Sequence, residues 1–150
     1  MATIEIEERI AESSALVGAF LVPQRMPYWF GAEMNCEFEV LGGAADFEIG
    51  QKVRITGHLG SREISLTAIV TKFEFGRFLE WRFQDSYGVK GTQSWEINAV
   101  DSETLVRMRD QYEMPGAFGR VFDWLFTRHA VARRDRDWLA RLKRLAQHGA

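Results

Sequence analysis

Apolar and polar residues alternate from Thr3 to Ile10, with Ile4 and Ile6 on one side and Glu5, Glu7 and Arg9 on the other. That period of two predicts a half-buried first strand. From Ala11 to Leu21 the period lengthens. Leu16, Val17, Phe20 and Leu21 share a helical face behind Ser13 or Ser14, either of which suits an N-cap. Pro23 and Pro27 interrupt this helix, and "MPYWFG" forms a second short aromatic segment ending at Gly31. Two short helices after strand one are therefore expected.

From Cys36 onward the pattern is that of an antiparallel meander. Strands are predicted at Cys36 to Leu41, Lys52 to Leu59, Glu63 to Phe75, Phe78 to Gln84, Thr92 to Val100 and Leu105 to Met114. Turn residues such as Gly42-Gly43, Gly60-Ser61, Gly76 and "DSET" separate them. Within the strands, Leu79, Trp81 and Phe83 oppose Glu80, Arg82 and Gln84, while Ile64, Leu66, Ala68 and Val70 oppose Glu63, Ser65, Thr67 and Thr71. A sheet with one face against a helix alternates in this way. In the last strand Val106, Met108, Tyr112 and Met114 share the apolar side with Asp110, its one ionisable member.

After Pro115-Gly116 one helical pattern runs from about Phe118 to about Gln147. Phe118, Phe122, Leu125 and His129 form a stripe that Ala132, Leu139, Leu142 and Ala146 continue, with Trp138 and Leu145 on its flank. The large rings fall in its first half.

Composition narrows the class. A chain of 150 residues suits one domain spanning 1–150, and a domain of this size buries roughly 70% of its unfolded surface. A formal net charge of -2 argues against nucleic acid as the main partner. Cys36 is the only cysteine, so no intramolecular disulfide forms and a reducing cytoplasm is the expected location. "MATIEIEERI" lacks the basic start and apolar run of a signal peptide, and no window approaches the ~20 apolar residues of a membrane span.

The order of elements, "RMPYWFG", "YEMPGAFGRVFDWLF" and the ending "RRDRDWLARLKRLA" resemble the START-related SRPBCC superfamily, in particular its polyketide cyclase/dehydrase and lipid-transport branch. The resemblance implies an α+β helix-grip fold, in which a curved antiparallel sheet of about seven strands wraps a long C-terminal helix. It also implies a cavity between the two for a hydrophobic small molecule such as a lipid, polyketide or aromatic metabolite. On that implication Trp29, Leu79, Trp81, Phe83, Trp95, Met108, Phe118, Phe122 and Leu125 are expected to line the cavity. Asp46 and Phe47 are expected in a gate over its mouth. Fold alone does not choose the function. A cyclase/dehydratase-type enzyme using the same cavity, or a protein-interaction module using the basic C-terminal helix, is an alternative to a carrier.

Three residues suit proton transfer: Asp110, Tyr112 and His129. A carboxyl on an apolar face has its pKa raised by desolvation, and a histidine titrates near neutrality. The structural alternatives are an arginine partner for Asp110, a hydroxyl at the edge of the core for Tyr112, and a solvent-reaching ring for His129. His58, His129 and His148 lack metal-ligand spacing, and there is neither a phosphate loop nor a dinucleotide fingerprint, so no metal or cofactor is expected. Arg128, Arg133, Arg134, Arg136, Arg141, Lys143 and Arg144 read as a solvated helix face diluted by Asp135 and Asp137.

Overall fold

The computed structural model describes residues 1–42 and 46–149, and the backbone alone of Leu59, Phe118, Arg120, Phe122, Trp124 and Leu125. The strands are β1 (Ala2–Ile10), β2 (Glu37–Val40), β3 (Lys52–Leu59), β4 (Arg62–Glu74), β5 (Phe78–Asp85), β6 (Lys90–Val100) and β7 (Glu103–Glu113). Helix α1 (Ser14–Gly18) and two single 3-10 turns, Met26–Tyr28 and Ala32–Met34, lie between β1 and β2. After β7 come α2 (Gly116–Phe122), a π-helical stretch (Asp123–Thr127) and α3 (Arg128–His148). The sheet order is β1-β7-β6-β5-β4-β3-β2, every pair antiparallel. This is the helix-grip arrangement that the family resemblance implies.

The alternation places each strand's apolar set on the face turned toward α3. Leu79, Trp81, Trp95, Val106 and Met108 are all buried there. The opposite face carries a charged ladder in which Arg107 meets Glu7 at 2.8 Å and Glu96 at 3.9 Å, and Arg109 meets Glu5 at 3.3 Å. Such exposed pairs add little stability each, but they keep that face wet. A register shift between Val70 and Lys72 places a bulge in β4, where Thr71 donates its hydroxyl to Glu80 Oε2 at 2.7 Å. Bulges bend a strand and increase its twist, which helps the sheet curl around a helix.

Two departures from the sequence reading matter. Helix α1 spans only Ser14–Gly18, much shorter than the predicted Ala11 to Leu21. Ser13 caps it as expected, accepting from the Leu16 amide at 3.2 Å. The chain packs so closely at Gly18 that a Cβ there would stand 2.6 Å from Gly76 Cα. The single C-terminal helix is also interrupted. A π turn holds about 4.4 residues where an α turn holds 3.6, so it rotates every later residue relative to those before it. His129 is consequently exposed instead of continuing the predicted stripe, and the buried set of α3 is Asp135, Trp138, Leu139, Leu142 and Ala146.

The aromatic core fills one end of the space under the sheet. Trp29, set by the first 3-10 turn, meets Trp95 edge-on at 6.1 Å, Trp95 meets Trp81 at 5.0 Å, and Phe30 meets Trp81 at 5.6 Å. Edge-to-face stacking at these separations is favourable beyond simple burial. Trp29 also donates its indole N–H to the Phe20 carbonyl at 2.9 Å, fixing the segment after α1. Phe47 is buried against Phe73 and Trp81, so the expected gate residue is part of the core, while residues 43–45 beside it lie outside the described residues.

Candidate functional site

Beyond the aromatic cluster the space under the sheet is open. A cavity of about 380 Å³ lies between the concave face and α3, within the range of about 300–1,000 Å³ usual for small-molecule sites. Ile55, Ile64, Leu66, Phe83 and Met114 supply apolar wall from the sheet side, and Val131 and Trp138 from α3. Gly57 leaves room where the second 3-10 turn approaches β3, because a Cβ there would stand 3.0 Å from both Cys36 Sγ and Met34 Cβ.

One polar group is built into this wall by strand register. Trp81 pairs with Gln93 across β5 and β6, and Gln93 pairs with Asp110 across β6 and β7, so three inward side chains stand in a row. Trp81 Nε1 donates to Gln93 Oε1 at 2.8 Å, and Gln93 Nε2 donates to Asp110 Oδ2 at 3.4 Å. From the helix side Arg134 Nη2 donates to the same oxygen at 3.2 Å and to Asp135 Oδ1 at 3.2 Å. The Arg134 guanidinium also lies over the Trp138 ring, 4.4 Å from its centroid. Trp138 in turn donates to both oxygens of Glu33, at 3.1 and 2.9 Å.

Asp110 and Asp135 are both 1% exposed, and they share one guanidinium. Burial, opposed by Arg134 and reinforced by Asp110, pushes the Asp135 carboxyl up to about 8. Two carboxyls that hydrogen-bond to each other require a proton on one of them, and like charges in a dry site favour keeping it. Burial followed by Glu33, with Arg134 pulling the other way, pushes the Cys36 thiol up to about 11.

Tyr112 sits two residues along β7 from Asp110 and also lines the cavity. Its hydroxyl donates to Asp123 Oδ1 at 2.5 Å, tying the π-helical stretch to the sheet. Burial and this bond raise the phenol above its ordinary range.

The sequence-predicted site residues divide into groups. Phe83, Asp110 and Tyr112 line the cavity. Trp29, Leu79, Trp81, Trp95 and Met108 are packed in the core, at most 1% exposed, and none is among the lining residues. The physical reason is that the concave face is longer than the cavity, and the 3-10 turns bring Trp29 and Phe30 to fill one end of it. His129 is exposed and is not a lining residue either. The expectations for the side chains of Phe118, Phe122 and Leu125 lie outside the described residues. Arg134, read from sequence as part of a solvated face, turns inward instead, since Asp110 and Asp135 are buried beside it.

Sequence reasoning passed over Gln93, Arg134 and Asp135. The signal for Asp135 was present: it stands four residues after Val131 and four before Leu139, a carboxyl on the buried stripe. No signal marked Gln93, whose role comes from its place opposite Asp110.

Several solved structures share this fold. A protein of the dynemicin biosynthetic locus is 17% identical with a TM-score of 0.71, over 98% of this chain and 48% of that one, so the chain spans about half its length. A Mesorhizobium loti protein is 13% identical with a TM-score of 0.74, over 96% of each chain. Ara h 8.0201 is 10% identical with a TM-score of 0.70, over 97% of each. No curated protein matches the sequence. The profile of the family described as polyketide cyclase/dehydrase and lipid transport matches residues 1–147.

Proposed function

This chain belongs to the polyketide cyclase/dehydrase and lipid transport family, and from that premise we propose that it binds a hydrophobic small molecule in the cavity between sheet and α3. The observation that carries this reading is the cavity itself, about 380 Å³ with a wall more apolar than polar. Apolar surface of that kind releases water when a matching ligand enters, with a gain of roughly 25 cal/mol per Å² buried. A lipid tail, a polyketide fragment or an aromatic metabolite fits the chemistry of the wall.

Titration with the neutral fluorescent probe N-phenyl-naphthylamine tests this. Saturable binding at one site per chain is expected, with loss of that binding in Val131→Trp, which places a ring in the cavity from α3. A wild-type protein that leaves the probe's fluorescence unchanged overturns the reading.

One observation favours a second reading, a cyclase/dehydratase-type reaction in the same cavity. The Asp135 carboxyl, pushed up to about 8, shares Arg134 with Asp110 of the wall, and a carboxyl with a pKa near neutrality can give and recover a proton at a carbonyl chain. Asp110 reaches the cavity, and Tyr112 stands beside it with its hydroxyl engaged by Asp123. Turnover of a polycarbonyl substrate, lost in Asp110→Asn while the fold is retained, is the expected result under this reading.

A further inference from the structure

Two buried oxygens beside Arg134 have no other donor among the described residues: Asp110 Oδ1 and Asp135 Oδ2. Their sister oxygens are engaged, Asp110 Oδ2 by Gln93 and Arg134, and Asp135 Oδ1 by Arg134. The two carboxyls hydrogen-bond to each other through their side chains, and both residues are 1% exposed. An ionised carboxylate only accepts, so this bond exists while one proton lies between the two groups. Asp110 belongs to β7 and Asp135 to α3, and the proton therefore ties the sheet to the helix.

The tie lies where few other polar contacts hold the helix. Tyr112 bonds Asp123 ahead of α3, and Lys143 meets Glu8 of β1 at 3.1 Å, eight residues beyond Asp135. Between these two points, among the described residues, only the group of Asp110, Arg134 and Asp135 joins α3 to a strand by side-chain hydrogen bonds. Val131 stands four residues before Asp135 and Trp138 three after it, and both line the cavity. Without the proton, two buried carboxylates would share one guanidinium, and water reaches them when this part of α3 moves off β7. The other groups around the pair do not compete for that proton. Arg134 stays charged. Cys36 is held up to about 11, Tyr112 is raised above its ordinary range, and Glu33 accepts from Trp138 with both oxygens.

We propose that Asp110 and Asp135 form a proton-held clasp on the cavity: while one proton bridges them α3 stays closed on β7 and the ligand is retained, and loss of that proton opens this wall and releases it. This rests on the reading of the cavity as a small-molecule site. It adds the way in which binding there is regulated.

N-phenyl-naphthylamine stays neutral from pH 6.5 to pH 9.5, so any proton linked to its binding belongs to the protein. Calorimetric titration of this chain in two buffers of different ionisation enthalpy counts the protons taken up. With the Asp135 carboxyl held up to about 8, binding to the closed form should take up roughly half a proton per probe at pH 8 and close to none at pH 6.5. The dissociation constant should rise about tenfold between pH 7 and pH 9.5 while far-UV circular dichroism is unchanged. Asp135→Asn places a permanent donor opposite Asp110 Oδ1, so its affinity should vary less than about twofold over that range, with no proton uptake. A wild-type protein that binds the probe with a flat profile and no proton uptake overturns the clasp and leaves the apolar cavity standing. An equal fall in Asp135→Asn overturns it too, because another group then carries the proton. If the probe does not bind at pH 7 either, the cavity reading falls and the clasp with it. Should Asp135→Asn not fold, the carboxyl carbon resonance of labelled Asp135 in the wild-type protein decides. Its titration midpoint rises with the probe bound, and an unmoved midpoint rules the clasp out.

Discussion

Asp110 in β7 and Arg134 in α3 meet at 3.2 Å, a buried carboxylate against a guanidinium that reaches the cavity. The pair joins the strand next to the β1 edge of the sheet to the first turns of the helix, and Asp135 completes it from the helix side. Two buried acids depend on this one base, so its removal leaves uncompensated charge.

Arg134→Met should therefore destabilise the protein. Breaking a buried pair costs about 3–5 kcal/mol, and the 37% exposure of the Arg134 side chain lowers the expectation to about 2–3 kcal/mol. Urea denaturation measures it, and an unchanged midpoint would refute the role given to the pair.

Stability should depend on pH through Asp135. An unfolded aspartate ionises near 3.8, while the folded carboxyl holds its proton up to about 8. Between those values the folded state binds more protons than the unfolded state, so this group's contribution is full below the lower value and is lost as pH rises toward the upper. Asp135→Asn keeps a donor in place of the protonated carboxyl. Its melting temperature at pH 8 should equal or exceed that of the wild type, and the decline between pH 5 and pH 8 should flatten. Melts across that range that decline equally in both proteins would contradict this.

Core and wall should respond differently to truncation. Trp29 is fully buried among rings, and Trp29→Ala should cost about 3–5 kcal/mol. Phe83 borders the cavity and has fewer neighbours to lose, so Phe83→Ala should cost less than Trp29→Ala while enlarging the site. Guanidinium melts of the two variants rank them, and the reverse order would mean that the wall is packed as tightly as the core.

Cys36 should be slow to react despite lining the cavity. With its thiol held up to about 11, little thiolate exists at pH 8. Ellman's reagent should modify the unfolded chain promptly and the native chain much more slowly. Equal rates for native and unfolded protein would exclude the burial described.

Much of the fold is legible in the sequence because strand alternation and helix periodicity are local. The inward set Leu79, Trp81 and Phe83 and the outward ladder of Arg107 and Arg109 follow from a period of two. Asp110 stood out as a carboxyl on an apolar face for the same reason. The length of α1 was not legible, since its end coincides with the contact of Gly18 with Gly76 across the chain. Nor was the π-helical stretch, after which His129 leaves the predicted stripe and Arg134 points inward.

The sequence by itself determined the order of elements, the inward face of each strand and the apolar character of what they enclose, because each depends on spacing along a few residues. Tertiary structure alone decided which inward residues are core and which are wall. Trp29 and Phe30, brought in from outside the sheet, fill one end, and the register of β5, β6 and β7 with α3 assembles Trp81, Gln93, Asp110 and Arg134 at the edge of the open part. Those contacts join residues distant in the chain, and no local pattern of hydrophobic and polar positions encodes where one strand meets another.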